Sequence, residues 1–173
     1  MIKILLVSCL VLLSPLLRAE VVTATDTYFH IKITNDVSVT PEVAYKQLLN
    51  VGEWWSSDHT WFGDAKNMYI EAKAGGCFCE KSEMGEVMHM MVTGVYPGSQ
   101  LRLTGGLGPL QELGLHGAMT WKFGANDSGG TTITHEYRVN GGGVENLPGL
   151  AEIVNKVQTL QVNLLVNKLA GNK

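Results

Sequence analysis

The first candidate for acid–base chemistry is a pair of residues that flanks a predicted hairpin turn. If Met84 and Gly85 form a two-residue turn, Glu80 and His89 lie directly opposite each other on neighbouring strands. A carboxylate beside an imidazole could raise the imidazole pKa and act with it as an acid–base couple. The alternative is an ordinary cross-strand pair on the outer face of the sheet, and a loop of another length would change the pairing.

The second candidate pair lies in the alternating segment Thr131–Asn140. Ile133, His135, Tyr137 and Val139 share one face of this predicted strand, and that face is the apolar one. A histidine and a tyrosine inside an apolar pocket could orient a ligand carbonyl or hydroxyl, or act as a general acid and base. The alternative is that each is a core residue with one satisfied hydrogen bond.

A Cys-x-Cys motif gives a candidate for soft-metal or redox chemistry. In the same hairpin register, Cys77 and Cys79 share one strand face, with Met90 opposite Cys79. Thiolates and thioethers are the ligands that copper(I) prefers, which predicts a copper site in an exported protein. Residues two apart on a strand are about 6.5 Å apart, near the upper limit for a disulfide. The remaining interpretation is two small buried apolar side chains.

Two further segments are typical of a pocket entrance. Residues 105–109 are rich in glycine but lack the lysine and the following helix of a phosphate loop, so we interpret them as a flexible loop or lid. An aromatic cluster earlier in the chain could form a gate: Trp54, Trp55, His59, Trp61 and Phe62. The sequence contains no Gly-x-Ser-x-Gly, no His-Glu-x-x-His and no pair of Cys-x-x-Cys motifs, so it presents no complete catalytic constellation.

Composition limits the classes of protein to consider. The chain has 173 residues, of which 45% are hydrophobic, and this predicts one domain with a sizeable core. The formal net charge of -3 argues against a nucleic-acid partner. We predict no cofactor, and the oligomeric state stays open.

The start of the sequence resembles a secretory signal. Residues 1–19 combine one early lysine, a short apolar run and a terminal alanine, and the run is too short for a membrane span. We predict cleavage after Ala19, with Ala24 as the alternative site, and a single domain over 25–173. Cys9 is interpreted as part of the signal, because too little hydrophobic sequence precedes it for a lipid anchor. The predicted location is the periplasm or the exterior, without stable membrane insertion after cleavage.

The pattern of the rest of the chain predicts the strands that position the candidate site residues. Thr27–Val39 alternates as a half-buried strand, and Thr40 and Pro41 then begin a short helix. Glycine-rich turns separate six more candidate strands, which suit an antiparallel sheet: Asn67–Ala72, Gly76–Glu83, Glu86–Tyr96, Gln100–Gly105, Gly117–Phe123 and Thr131–Asn140.

The clearest helix lies near the C-terminus. It is predicted to begin at Asn146 or Leu147, and apolar residues recur along it at helical spacing. About twenty residues of helix extend on the order of 30 Å, enough to cross a whole sheet. The fold class is therefore α+β: a curved antiparallel sheet of about seven strands around a long C-terminal helix, with two short helices after the first strand.

Several segments together resemble the START/Bet v 1-like superfamily, also described as SRPBCC or polyketide cyclase/dehydratase-like. They are the strand-to-helix segment 37–45, the Trp54-Trp55 pair, the double glycine before Cys77, and the Pro-Gly turn with its "Leu-Arg-Leu" strand at 97–103. The resemblance covers roughly residues 27–170. It implies a helix-grip fold with a cavity under the long helix. Members bind lipids, sterols, hormones or polyketides, and a few are cyclases, dehydratases or hydratases. One branch is related to the Hsp90 ATPase activator, a role that export puts in doubt.

These observations predict an exported protein that binds an apolar or aromatic small molecule. A cyclase/dehydratase-type enzyme using pocket His/Tyr or Glu/His is the first alternative, and a periplasmic copper-binding protein is the second. The predicted pocket comprises Trp54, Trp55, Met119, Trp121, Phe123, His135, Tyr137, Leu150, Val154 and Val157.

Overall fold

Alternating apolar and polar residues build one antiparallel sheet, which the computed structural model describes within residues 18–171. Its eight strands lie in the order β1-β2-β8-β7-β6-β5-β4-β3. Their bounds are Arg18–Ala24 (β1), Tyr28–Val37 (β2), Met68–Ile70 (β3), Cys77–Ser82 (β4), Gly85–Tyr96 (β5), Gln100–Gly105 (β6), His116–Ala125 (β7) and Thr131–Asn140 (β8). The helix-grip architecture predicted from the sequence is confirmed.

The inner face of the sheet forms the core. Phe29, Ile31 and Ile33 of β2 are fully buried, as their alternation predicts. His135 and Tyr137 of β8 are also fully buried on this face. The strand pattern in the sequence therefore identified which side chains point inward, although it did not show what covers each part of the sheet.

Two helices cover that face. Helix α1 spans Pro41–Leu49 and packs against β7 and β8. Thr40 precedes it as predicted, but its side chain makes no capping hydrogen bond. Single turns of 3-10 helix follow at Val51–Glu53, Ser57–His59 and Ala65–Asn67, and a further one lies at Gly108–Leu110. The second predicted short helix is thus a series of tight turns.

The long helix α2 spans Leu147–Leu169 and packs against β1, β2 and α1. The side chain of Asn146 accepts a hydrogen bond from the Gly149 N–H and caps its first turn. No helix within residues 18–171 has the length and apolar character that crossing a membrane requires.

Strand β1 was not predicted, because its residues fall at the end of the proposed signal segment. It pairs with β2 at the edge of the sheet. Residues 1–17 of that segment lie outside the described part of the chain. Cleavage after Ala19 would leave Glu20–Ala24 paired with β2, whereas cleavage after Ala24 would remove the whole strand; both sites stay predictions.

The predicted pairing of the β4–β5 hairpin is wrong. The turn residues are Glu83 and Met84, since Ser82 pairs with Gly85, and Glu80 therefore pairs with Val87. A β-bulge then follows, because the pairing moves from Cys79 with Met88 to Phe78 with Met90. The extra residue is His89, and a bulge redirects the side chain of such a residue.

Candidate ligand-binding site

A cavity of about 310 Å³ lies between α2, the sheet and two loops. This volume is at the lower end of the range for small-molecule pockets. The wall is mostly apolar, and it is formed by Trp55, Asp58, His59, Thr60, Trp61, His89, Leu107, Gly108, Pro109, Leu110, Leu113, Tyr137, Leu150, Ile153, Val154, Val157 and Gln158. Trp61, Leu113 and Ile153 are 43%, 44% and 58% exposed, so the rim of the cavity reaches solvent.

Residues 56–62, which we call the mouth loop, are held by buried polar side chains. The Glu80 carboxylate accepts hydrogen bonds from the backbone N–H groups of Trp61 and Phe62, at 2.8 and 2.7 Å. At the other end of the loop, the Gln161 side-chain oxygen accepts the Ser56 N–H at 3.0 Å. Glu80 and Gln161 are themselves fully buried. The mouth loop is therefore fixed to both β4 and α2.

The same carboxylate contacts His89 in the cavity wall. Glu80 Oε2 lies 3.4 Å from His89 Nε2, and the His89 side chain is only 3% exposed. The imidazole also packs against Phe78, with ring centroids 5.2 Å apart. The sequence predicted a direct cross-strand pairing of these two residues, with the outer face of the sheet as one possible location. The pair is buried on the inner face, because Glu80 alternates with Phe78 along β4 and His89 alternates with Val87, the residue that pairs with Glu80.

Burial sets the charge state of His89. Loss of water around the ring lowers the pKa of His89 below its ordinary value, and the neighbouring Glu80 carboxylate opposes this shift without reversing it. A neutral imidazole carries one N–H, and the carboxylate beside Nε2 favours the proton on that nitrogen. Neither ring nitrogen of His89 makes a hydrogen bond within residues 18–171, so the 3.4 Å approach of Glu80 to Nε2 is a polar contact.

Tyr137 holds the second loop of the cavity, residues 105–113, which we call the glycine loop. Its hydroxyl donates a hydrogen bond to the Gly105 carbonyl and accepts one from the Leu107 N–H, both at 3.0 Å. Burial raises the pKa of Tyr137 to about 12. Both hydrogen bonds give this hydroxyl a positioning role in the loop, and its acid–base role stays a prediction.

Tyr137→Phe should loosen the glycine loop. It leaves a carbonyl and an N–H without their partner, which costs about 1–3 kcal/mol of unfolding free energy. Tyr45→Phe is the matched control, because the buried Tyr45 hydroxyl has no hydrogen-bond partner within residues 18–171. Chemical denaturation measures both changes. Equal losses in the two variants would contradict the assigned role.

The predicted pocket set divides into two groups. The residues that line the cavity are Trp55, Tyr137, Leu150, Val154 and Val157. The residues that the structure places in the packed core instead are Trp54, Met119, Trp121, Phe123 and His135. Three of these last residues, Trp54, Met119 and Trp121, border a void of only about 10 Å³.

These core positions are explained by helix α1, which covers this end of the sheet. Tyr45 of α1 meets Phe123 edge-on, with ring centroids 5.7 Å apart. Trp54, just after α1, packs in the same way against Trp121 at 6.2 Å. Strand alternation correctly predicted that Phe123 and Trp121 point inward. The inner face, however, has a packed end under α1 and an open end under α2.

His135 lies at the packed end. Its ring is 4.1 Å from that of Trp121, between centroids, and burial lowers the pKa of His135 to about 3. The imidazole is therefore neutral at neutral pH. Neither ring nitrogen has a hydrogen-bond partner of good geometry within the described chain. His135 does not itself line the cavity, although Gln158 beside it does, and its catalytic and ligand-binding role stays a prediction.

The two cysteines of the Cys-x-Cys motif form a disulfide. Cys77 and Cys79 have Cα atoms 5.4 Å apart, well within the range for such a bond. In this state neither sulfur is a thiolate. Met90 pairs with Phe78 and is buried at 1% exposure, so its side chain lies on the inner face, away from the predicted metal site.

Sequence reasoning missed several polar residues of the site. Gln158 and Gln161 are buried at 2% and 0% exposure on the face of α2 that covers the sheet. A glutamine within an amphipathic helix is usually solvent-exposed, so periodicity gives no signal for either one. The sequence did indicate the aromatic cluster and the glycine-rich segment, since both were interpreted as a pocket entrance and residues of both line the cavity.

Solved structures share this fold at low sequence identity. Protein MLL2253 from Mesorhizobium loti matches with a TM-score of 0.58 and 15% identity, covering 83% of this chain and 98% of that one. Ara h 8.0201 matches with a TM-score of 0.58 and 12% identity, covering 84% and 99%. The chain has a START/Bet v 1-like fold.

A third similar structure is DynU16, a protein of the dynemicin biosynthetic locus. It matches with a TM-score of 0.58 and 14% identity over 85% of this chain, but over only 48% of its own length. No family model matches the sequence, and no curated protein matches it either. Because all three identities are this low, the likeness establishes the fold and leaves the function to the site itself.

Proposed function

We propose that this protein is an exported carrier or sensor that binds one apolar or aromatic small molecule in the cavity under α2. The observation that carries the proposal is an open cavity of about 310 Å³ with a mostly apolar wall. Burial of apolar ligand surface in such a wall stabilises a complex by roughly 25 cal/mol per Å² before the costs of association.

The anchoring of the walls also supports binding. Glu80 and Gln161 fix the mouth loop, and Tyr137 fixes the glycine loop. A pocket whose walls are already ordered loses less conformational entropy when the ligand enters. The few polar groups in the wall, such as His89 and Gln158, suit a ligand with a small polar group on an otherwise apolar body.

Export is part of the proposal and rests on two features. Residues 1–19 resemble a secretory signal. The Cys77–Cys79 disulfide suits an oxidising compartment, because reducing systems in the cytosol keep most thiols reduced.

Binding can be tested with N-phenyl-1-naphthylamine, an uncharged aromatic probe whose fluorescence rises in apolar surroundings. The wild-type chain should bind it saturably at one site. Val154→Phe should weaken binding by at least about tenfold, or about 1.4 kcal/mol, because the larger ring occupies the cavity.

The matched control is Leu160→Phe on the same helix. Leu160 is 41% exposed and does not line the cavity, so this variant should bind the probe like wild type. Absence of saturable binding, or equal affinity in the Val154→Phe and wild-type proteins, would refute the cavity as the site.

A proton-transfer enzyme is the second candidate function, and the Glu80–His89 contact favours it. His89 lies in the cavity wall, and Glu80 Oε2 lies 3.4 Å from its Nε2. A general base backed by an orienting carboxylate is a recurring catalytic arrangement. Of these residues only His89 lines the cavity, with Glu80 buried behind it, so a cyclase- or dehydratase-type reaction would use His89.

This candidate predicts hydrogen–deuterium exchange on a substrate carbon. With 1-phenyl-1,3-butanedione in D₂O, the wild-type protein should accelerate exchange at the carbon between the two carbonyls, followed by NMR. His89→Gln should lower that acceleration by at least about 100-fold, as expected for loss of a general base. His59→Gln, which changes the other histidine of the cavity wall, should retain it. No acceleration over buffer by the wild-type protein would eliminate the candidate.

A further inference from the structure

Two exposed methionines flank the Cys77–Cys79 disulfide on the outer face of the sheet. Met88 lies opposite Cys79, and Met91 lies opposite Cys77, in the β4–β5 pairing. Directly opposed residues of an antiparallel pair share a face, with Cβ atoms about 4.5–5.5 Å apart. We call these four residues the sulfur patch.

The bulge at His89 is what brings both methionines to this face. Met88 and Met91 are three positions apart, and in a regular strand such residues point to opposite faces. The extra residue in the bulge changes the alternation, so that each methionine opposes a cysteine. Met90, which the sequence suggested as a metal ligand, is the buried neighbour of Phe78 instead.

Neither methionine of the patch is used by the hydrophobic core. Met88 is 55% exposed and Met91 is 41% exposed, whereas Met90 is 1% exposed. Methionine is more often buried than exposed. On the same outer face, Tyr69 opposes Cys79 from β3, which places an aromatic ring beside the disulfide on the side away from Met88.

We propose that reduction of the disulfide creates a copper(I) site made of the Cys77 and Cys79 thiolates and the Met88 and Met91 thioethers. Thiolates and thioethers are soft ligands that select copper(I) over harder cations. Within residues 18–171, the His, Cys, Asp and Glu side chains form no group of three that could hold a metal ion. The two thioethers would therefore supply the third and fourth ligands of the site.

Two electrons and two protons convert the disulfide to two thiols, and a protein dithiol of the compartment to which the chain is exported supplies both while becoming a disulfide itself. Copper(I) then displaces the two thiol protons when it binds the thiolates. The oxidised chain has no thiolate at either position, so the disulfide state prevents binding and the reduced state permits it.

The test is an anaerobic titration of copper(I) against the competing chelator bathocuproine disulfonate. All proteins carry Cys9→Ser, so that the third cysteine of the chain does not contribute. The disulfide is reduced with a water-soluble phosphine, which becomes the phosphine oxide with oxygen from water, and the excess is removed. The reduced parent should bind one copper(I), and the oxidised parent should bind none.

Variants separate the sulfur patch from the other methionines. Replacing both cysteines by serine should abolish binding. Met88→Leu and Met91→Leu should each weaken copper(I) binding by at least about tenfold. Losing a residue that only supports a metal ligand already lowers affinity by about that factor. Met90→Leu on the inner face and Met84→Leu in the turn are matched controls and should bind like the parent. No binding by the reduced parent, or equal losses in all four methionine variants, would overturn the proposal.

A second measurement avoids any dependence on variant folding. With ¹³C-methyl-labelled methionine, copper(I) should shift the methyl signals of Met88 and Met91 in the reduced parent. Those of Met84 and Met90 should stay in place. Copper binding that leaves the Met88 and Met91 signals unchanged would show that the cysteines act without them, which contradicts the four-sulfur site.

Discussion

The buried carboxylate of Glu80 connects the sheet, the mouth loop and the cavity wall. Burying a carboxylate away from water is costly unless hydrogen bonds replace the lost hydration. The N–H groups of Trp61 and Phe62 supply two such bonds, and His89 adds a polar contact at 3.4 Å. The position of the mouth loop is therefore tied to one side chain of β4, and so is the orientation of the histidine in the cavity.

The cavity persists because polar anchors hold its walls apart. Gln161 fixes the start of the mouth loop to α2, and Tyr137 fixes the glycine loop to β8. A Cβ atom at position 106 would collide with the carbonyl oxygen of Leu115. The close approach of the backbone at Gly106 to Leu115 therefore requires glycine. Apolar contacts alone would favour collapse of α2 onto the sheet, whereas these hydrogen bonds specify a separation.

Much of the fold could be predicted because its signals are local. Strands Gln100–Gly105 and Thr131–Asn140 have the bounds that alternation and glycine-rich turns predict, and α2 begins at Leu147 as its apolar spacing predicts. The geometry of the candidate site was harder to predict from the sequence, because it depends on non-local features. The turn at Glu83 and Met84 removes the predicted direct pairing of Glu80 with His89, and the bulge at His89 places Met90 beside it on the inner face. Strand periodicity contains no information about which end of the inner face α1 covers.

The most direct test of this account is amide hydrogen exchange at Trp61 and Phe62 in Glu80→Gln. The exposed turn variant Glu83→Gln is the control. A neutral amide offers only one acceptor oxygen, and a lost charge-assisted hydrogen bond is worth about 1.5–3 kcal/mol, so exchange should accelerate by at least about tenfold at these two amides. Binding of N-phenyl-1-naphthylamine should weaken in parallel. Exchange rates and affinity that match those of Glu83→Gln would contradict the account, because the mouth of the cavity would then not depend on Glu80.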